Sequence, residues 1–126
     1  MARVLVVEDD ADIRGIIEFQ LRKAGHKVIG ATTVAEARDL IAAKGVPEVL
    51  VLDVGLPGVT GVDFLAELRE QEETASVAAI FLSARVTPED ISAGQALGAV
   101  YLTKPFVATA LLQAVERVAP AAPDTW

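Results

Sequence analysis

The 126-residue sequence contains no cysteine and a single histidine. The absence of thiols excludes disulfide bonds, thiolate metal sites and cysteine nucleophiles, and one histidine cannot build a histidine-rich metal site. That histidine, His26, falls between an amphipathic stretch and an apolar run, so we predict that it lies in a solvated loop. No apolar run approaches the roughly 18 residues of a membrane-spanning helix, and the start shows no signal peptide, so we expect a cytoplasmic location.

Positive charge is scarce, since 11 Lys and Arg residues face 18 Asp and Glu residues and the formal net charge is −7. The basic residues are scattered, so the sequence does not favour direct binding to nucleic acids or to anionic membranes. Apolar residues make up 52% of the chain, which excludes disorder as its main state. The length is that of one domain, and we assign residues 1–118 to it and residues 119–126 to a Pro/Ala tail or the beginning of a linker.

Short apolar runs alternate with amphipathic stretches along the chain. The run at residues 3–7 is nearly all apolar, as in a strand buried on both faces. Aliphatic side chains then recur at helical spacing and line one face of the first predicted helix, namely Ile13, Ile16, Ile17 and Leu21. Five strands alternating with five helices predict an α/β fold, a single five-stranded parallel sheet with helices on both faces. The predicted strands are 3–7, 27–31, 49–52, 78–82 and 100–103, and the predicted helices are 11–24, 34–44, 62–72, 88–97 and 107–118.

Polar and charged side chains follow four of the five predicted strands. A parallel sheet binds its ligands outside the carboxyl ends of its strands, so these residues fall where a site is expected. Each has an ordinary structural explanation by itself, as a solvated loop, a turn cap or a surface residue, but their joint occurrence at strand ends favours a functional site. Carboxylates held close together raise one another's pKa, and a hard divalent cation such as Mg²⁺ would neutralise them. The residues are Glu8, Asp9, Asp10, Asp53, Ser83, Lys104 and Pro105.

Four short segments around these strand ends carry a more specific signal. They are Val6-Val7-Glu8-Asp9-Asp10, Leu52-Asp53 with Pro57 and Gly61, Leu82-Ser83-Ala84, and Tyr101-Leu102-Thr103-Lys104-Pro105-Phe106. Through them the sequence resembles, from residue 3 to about residue 118, the receiver domain of bacterial two-component response regulators. The resemblance implies a (βα)5 flavodoxin-like fold with strand order 2-1-3-4-5. It also implies a phosphorelay protein that is not an enzyme for other molecules and catalyses only its own phosphorylation and dephosphorylation.

The resemblance assigns the chemistry to Asp53. This aspartate would take a phosphoryl group from the phosphohistidine of a sensor histidine kinase or a histidine phosphotransfer protein and become an aspartyl phosphate. Asp9, Asp53 and the backbone carbonyl of Gly55 are expected to bind Mg²⁺ directly, and Glu8 is expected to act through a metal-bound water. Catalysis would then depend on charge neutralisation and positioning.

Three further residues complete the switch that the resemblance implies. Lys104 should pair with a phosphoryl oxygen, or with Asp53 in the resting state. Ser83 should turn inward and hydrogen-bond the phosphoryl group, which moves the fourth strand and takes Tyr101 from an outward to an inward position. The peptide bond between Lys104 and Pro105 is expected to be cis, which places the ammonium group over the site.

Two departures from the family pattern lie in the fourth helix and fifth strand, part of the surface through which the resemblance implies binding to a downstream partner. The connection from Gly98 to Tyr101 is one residue shorter than usual, and residues 91–103 carry no charge. The last helix carries only Glu116 and Arg117 in its body, so the face of the fourth helix, fifth strand and fifth helix has few charges. This face is either a tightly packed, alanine-rich region or an apolar surface for a downstream protein target or for self-association. We accordingly expect a monomer or a weak phosphorylation-dependent dimer.

Other interpretations are either open or disfavoured. The chain is a stand-alone receiver, or the excised N-terminal receiver of a longer transcription factor or enzyme. A Mg²⁺-dependent aspartyl-phosphate phosphatase would usually carry a second acid where Gly55 stands. A receiver that works without phosphorylation would be expected to lack Asp53 or Lys104, and the acids at residues 8–10 would repel the phosphate of a flavin cofactor.

Overall fold

The computed structural model describes residues 2–56, 58–84, 88–104 and 106–119, apart from the side chain of Asp90. The predicted tail therefore lies outside the described residues from residue 120 onward. The strands are β1 (Arg3–Val7), β2 (Lys27–Ala31), β3 (Val49–Asp53), β4 (Ala78–Ser83) and β5 (Val100–Thr103). The helices are α1 (Ala11–Lys23), α2 (Val34–Lys44), α3 (Gly61–Arg69), α4 (Pro88–Ala96) and α5 (Ala108–Val118).

The five strands form one parallel sheet in the order β2-β1-β3-β4-β5. The α/β fold and the strand order implied by the resemblance are therefore confirmed. All five residues of β3 are buried, which explains why this strand is a nearly continuous apolar run. Successive side chains point to opposite faces, so Leu50 and Leu52 join one core cluster while Val49 and Val51 join the other.

Each core cluster attaches a different set of helices to the sheet. The cluster that contains Leu50 packs against α2 and α3, and we call it the α2–α3 cluster. The cluster that contains Val49 packs against α1 and α5, and we call it the α1–α5 cluster. The helices contribute Val34, Ala37, Phe64, Leu65 and Leu68 to the first cluster and Ile17, Leu21, Leu111, Ala114 and Val115 to the second.

Polar side chains cap the beginning of three helices. Asp10 Oδ1 accepts the backbone N–H groups of Asp12 and Ile13 at 2.9 and 3.0 Å, at the start of α1. Thr33 Oγ1 and Thr60 Oγ1 each accept the N–H of the third residue of α2 and α3 at 3.1 Å. Such caps satisfy backbone donors that have no partner within the helix, and each is worth about 1 kcal/mol. Asp10, one of the acids after β1, is thus used to begin α1.

Several element boundaries differ from the prediction by one or more residues. Helix α3 ends at Arg69, earlier than expected, because the chain turns there and the Thr74 hydroxyl donates to the carbonyl oxygen of Leu68 at 2.6 Å. Strands β3 and β4 continue one residue further than expected. Asp53 and Ser83 are therefore the last residues of their strands, held in the sheet ladder rather than in a loop.

The prediction that His26 is solvated is wrong. The residue is only 7% exposed, and its Nδ1 accepts the backbone N–H of Ala2 at 2.9 Å. The β1–β2 pairing draws it inward, since the Lys27 N–H also donates to the Ala2 carbonyl at 2.9 Å. Burial lowers the pKa of His26, because the charged imidazolium is disfavoured away from water.

Candidate functional site

The carboxyl ends of four strands bring the predicted site residues to one edge of the sheet. Glu8 follows β1, Asp53 and Ser83 end β3 and β4, and Lys104 follows β5. The backbone N–H of Lys104 donates to the carbonyl oxygen of Ser83 at 2.7 Å, which extends the sheet ladder into the site. These side chains are therefore placed by the sheet itself and not by a long loop.

Lys104 lies between two carboxylates. Its Nζ donates to Glu8 Oε1 at 2.6 Å and lies 3.5 Å from Asp53 Oδ2. Glu8 is 1% exposed and Asp53 is 8% exposed, so the contacts are largely shielded from water. The shorter contact, to Glu8, was not indicated by the sequence, because strand ends reveal which residues meet but not which side-chain atoms reach each other.

Three carboxylates form a tight group beside Lys104. One oxygen from each of Glu8, Asp9 and Asp53 lies within 4.8 Å of the others. Glu8 and Asp53 are buried and Asp9 is exposed, so the group opens toward solvent on the side of Asp9. Divalent cations such as Mg²⁺ prefer oxygen ligands of this kind, and the donor set therefore fits the metal that the acids predicted.

The electrostatics of the site are dominated by negative charge. The pKa of Glu8 is raised to about 7, above all by burial; the hydrogen bond from Lys104 opposes this shift and the neighbouring Asp53 adds to it. For Lys104, burial alone would lower the pKa, but its contacts with Glu8 and Asp53 outweigh burial and raise the pKa. Glu8 thus resists ionisation while Lys104 stays charged. An added cation would relieve this imbalance.

A cavity of about 320 Å³ opens next to the Asp53 carboxylate. The backbone N–H of Gly55 donates to Asp53 Oδ1 at 3.1 Å and so orients that carboxylate. Ser83 is 7% exposed and faces the same cavity. Gly55 and Ser83 both line this cavity, and the roles of the Gly55 carbonyl and the Ser83 hydroxyl stay predictions. The lining residues are Asp53, Val54, Gly55, Ser83, Ala84 and Lys104.

Gly61 supports the turn that follows Asp53. A Cβ added to Gly61 would lie 2.6 Å from the backbone oxygen of Asp53, closer than non-bonded atoms approach. The Gly61 N–H also donates to the carbonyl oxygen of Val54 at 3.3 Å. Glycine at this position therefore lets the first turn of α3 pack directly against the chain that carries Asp53.

Tyr101 lies on β5, away from the carboxylates. It is half-buried and pairs with Phe81 of β4, with ring centroids 5.1 Å apart and an interplanar angle of 41°. The ring therefore packs against the α2–α3 cluster. Its predicted change of position stays a prediction, and Pro105, with the predicted cis peptide bond, lies outside the described residues.

An apolar patch lies on the other side of Lys104, and the sequence did not indicate it. Periodicity places Ile16 on the same helical face as Ile17 and Leu21, yet Ile16 is 58% exposed. Only part of the aliphatic stripe is covered, with Ile17 and Leu21 buried. The patch borders a cavity of about 390 Å³ lined by Ile13, Ile16, Ala84, Lys104 and Phe106.

A comparison with known protein families shows to which family a chain with this arrangement of residues belongs. The sequence profile described as "Response regulator receiver domain" matches residues 4–116. The chain belongs to the response regulator receiver domain family. The resemblance carried by the four sequence segments is thereby confirmed for this receiver domain.

Relatives of the receiver domain include longer proteins. It is 39% identical over 115 residues to the transcriptional regulatory protein PrrA of Mycobacterium tuberculosis, covering 90% of this chain and 48% of PrrA. It is 33% identical over 117 residues to the phosphate regulon transcriptional regulatory protein PhoB of Escherichia coli, covering 92% of this chain and 51% of PhoB. The sensory/regulatory protein RpfC of Xanthomonas campestris pv. campestris matches at 36% identity over 120 residues, which are 93% of this chain and 16% of RpfC. The receiver domain thus spans about half or less of the length of these relatives.

A solved structure of similar size confirms the fold. The chemotaxis response regulator CheY4 of Vibrio cholerae superposes with a TM-score of 0.84 at 34% identity, covering 94% of this chain and 98% of CheY4. Within the described ranges of the receiver domain, no helix combines the length and the apolar character that crossing a membrane requires.

Proposed function

We propose that this receiver domain accepts a phosphoryl group on Asp53 in a Mg²⁺-dependent reaction and thereby changes its surface. The observation that carries the proposal is the position of Asp53. Its carboxylate lies 3.5 Å from the Lys104 ammonium and shares a group of oxygens within 4.8 Å with Glu8 and Asp9. A nucleophilic carboxylate, a fixed cation and a set of oxygen ligands are thus within reach of one phosphoryl group.

The acidic group supports a particular division of roles toward the metal. Bound Mg²⁺ would neutralise charge on the phosphoryl oxygens and the carboxylates. Asp9 and Asp53 would hold it directly, together with the backbone carbonyl of Gly55, and Glu8 would act through a bound water. The burial of Glu8 supports its indirect role, since Glu8 already accepts a hydrogen bond from Lys104 at 2.6 Å.

In the proposed reaction an Asp53 oxygen attacks the phosphorus atom of a phosphohistidine. The new P–O bond forms as the P–N bond breaks, and the donor imidazole leaves with the bonding electrons and takes up a proton. Lys104 would balance the charge of the phosphoryl group, and the Ser83 hydroxyl, at the same cavity, would donate to a phosphoryl oxygen. Hydrolysis of the aspartyl phosphate restores the carboxylate, so the protein catalyses only its own phosphorylation and dephosphorylation.

The phosphoryl donor would dock on the apolar patch beside Lys104. A sensor histidine kinase or a histidine phosphotransfer protein must bring its histidine to the open side of the site. Ile16 is 58% exposed there, and Ile13 and Phe106 border the same cavity as Lys104. Apolar contacts of this kind would hold the donor while its phosphoryl group enters.

The output surface would be the face formed by α4, β5 and α5. Residues 91–103 carry no charge, and Ile91 is 37% exposed on α4. Movement of Ser83 toward the phosphoryl group would shift β4 and Tyr101, and so alter this face for a downstream protein or a second copy in a weak dimer. Because the chain spans about half of PrrA and PhoB, the target is either a separate protein or a transcription-factor or enzyme domain of the same polypeptide.

Intact-mass measurement after incubation with acetyl phosphate and Mg²⁺ tests this function. We expect one added phosphoryl group on the wild type and on Asp39→Ala, a control at an exposed aspartate of α2. Asp53→Ala and wild type with a chelator should gain none. If the wild type gains no phosphoryl group and beryllofluoride does not change its melting temperature, the proposed function is wrong.

A further inference from the structure

The end of α4 is folded back tightly before β5. The N–H of Ala99 donates to the carbonyl oxygen of Gly94 at 2.9 Å, and the N–H of Gly98 donates to that of Gln95 at 3.0 Å. Gly98 has φ +76°, the left-handed conformation that this helix ending requires. Only Val100 then separates Ala99 from Tyr101. The aromatic ring is consequently drawn close to the last turns of α4.

Gly94 is the residue that this ring meets. A Cβ added to Gly94 would overlap the Tyr101 ring. Gly94 itself is buried, and Tyr101 also packs on Phe81, with ring centroids 5.1 Å apart. The ring thus sits between the side chain of Phe81 and the bare backbone of α4.

The backbone of α4 does not explain a glycine at this position. Among the described glycines, those at 25, 45, 58 and 98 have positive φ, and Gly94 does not, so an L side chain fits its backbone conformation. Glycine inside a helix is less stable than alanine, because it loses more conformational freedom on folding. The feature that requires glycine here is therefore the space taken by the Tyr101 ring.

We propose that Gly94 is a positioning residue whose missing side chain lets Tyr101 pack against α4 before Asp53 is phosphorylated, in place of the outward resting position that the family resemblance implies. The proposal deepens the proposed function, since it rests on Tyr101 being the aromatic residue of the switch. With no side chain at position 94, the packed position of the ring is available before Asp53 is modified. Any larger residue displaces the ring toward solvent and changes the surface of the α4–β5–α5 face without touching the carboxylates.

The chain offers a matched control in Gly15. This glycine also lies inside a helix, α1, but a Cβ added to it meets nothing within 4 Å. Gly15→Ala should raise the melting temperature by roughly 2–5 °C through helix propensity alone. Gly94→Ala should lower it or leave it unchanged. When Tyr101→Ala is also present, Gly94→Ala should raise the melting temperature as Gly15→Ala does, because the overlap is gone.

A spectroscopic readout follows the ring directly. Tyr101 is the single tyrosine of the chain, so 3-fluorotyrosine labelling gives one ¹⁹F resonance. Its solvent isotope shift should increase in Gly94→Ala and stay unchanged in Gly15→Ala. The inference is overturned if Gly94→Ala stabilises the protein as much as Gly15→Ala does, or if its ¹⁹F resonance matches that of the wild type.

Phosphorylation separates this inference from the proposed function. Gly94→Ala should still gain one phosphoryl group from acetyl phosphate, because Gly94 contacts none of the carboxylates. If the wild type gains no phosphoryl group, the proposed function is overturned and Gly94 has no role in regulation. The thermal and ¹⁹F results would still show whether the Tyr101 ring packs against Gly94. Unchanged ¹⁹F spectra with normal phosphorylation would overturn the role of Gly94 alone.

Discussion

The amino and carboxyl ends of the sheet both bury ionisable side chains, but only at the amino end is the negative charge matched by an equal positive charge. There, Glu48 Oε1 accepts the backbone N–H of Arg3 at 3.0 Å and the Arg3 side chain at 3.4 Å. His26 Nδ1 accepts the backbone N–H of Ala2 at 2.9 Å, and burial favours its uncharged form. One carboxylate thus faces one guanidinium, and the histidine adds no charge.

At the carboxyl end the charges are unequal. Three carboxylates, those of Glu8, Asp9 and Asp53, lie within 4.8 Å, and Lys104 contacts two of them. Both ends thus bury charged side chains, whereas only the carboxyl end, with the candidate functional site, carries an excess of one sign. Cavity size does not distinguish the candidate site in the same way. The cavity lined by His26 and its neighbours at the amino end, about 630 Å³, is larger than the one beside Asp53 at the carboxyl end, about 320 Å³.

The largest expected difference between the two ends is the direction in which each changes the free energy of unfolding as pH rises. The pKa of Glu8 is raised from 4.5 to about 7 on folding, so the folded protein binds more protons than the unfolded chain between these values. The free energy of unfolding without metal should therefore fall by up to about 3 kcal/mol as pH rises from 5 to 8. Chemical denaturation across this range measures the effect.

Glu8→Gln sharpens that measurement. The variant removes the Glu8 contribution and leaves that of His26, whose pKa is lowered from 6.5. Since the unfolded chain then binds more protons just below pH 6.5, stability of the variant should rise with pH toward that value. A variant that keeps the falling trend of the wild type would contradict the assignment to Glu8.

Removal of the basic partner should affect the two ends unequally. Lys104→Met should lower the free energy of unfolding by about 2 kcal/mol at pH 8 without metal, because Glu8 and Asp53 lose the cation between them. Arg3→Met should cost about 1 kcal/mol or less, because Glu48 keeps the backbone N–H of Arg3. Urea denaturation of both variants checks the comparison, and equal losses would argue against unequal charge at the two ends.

The smallest expected effect comes from removing one acid at the crowded end. Asp53→Asn should stabilise the metal-free protein by about 1 kcal/mol, since it relieves repulsion while keeping the oxygen that accepts the Gly55 N–H. Thermal melting with and without Mg²⁺ measures this. The metal should raise the melting temperature of the wild type more than that of the variant. A metal-free variant that melts below the wild type would contradict the picture of repelling carboxylates.

The sheet and the positions of the site residues were predictable because both follow from local pattern. Buried strands are short apolar runs, and in a parallel sheet their carboxyl ends meet at one edge. Reading the residues after each run was enough to collect Glu8, Asp53, Ser83 and Lys104. The resemblance added the expected chemistry, and the family match confirmed the family.

What the sequence could not predict depends on distances between elements. Helical periodicity shows which side chains share a face, but neighbouring elements decide how much of that face is buried, so Ile16 is exposed although Ile17 and Leu21 on the same face are buried. The burial of His26 depends on its contact with Ala2, a residue far from it in sequence. The contact between Lys104 and Glu8 likewise depends on how far these two side chains extend toward each other from the ends of β5 and β1. The spacing of residues in the sequence does not reveal that distance.

The sheet separates the two core clusters, and this separation has an evolutionary consequence. Ile13 and Phe106, at the proposed donor surface, pack against the α1–α5 cluster, whereas Tyr101 packs against the α2–α3 cluster on the other face. Substitutions that share no neighbours change stability nearly independently. Mutations around Ile13 that alter the choice of input partner can therefore accumulate on one face while the packing of Tyr101 on the other is preserved. Helix α5 belongs both to the α1–α5 cluster and to the proposed output surface, so substitutions there are constrained by both partners.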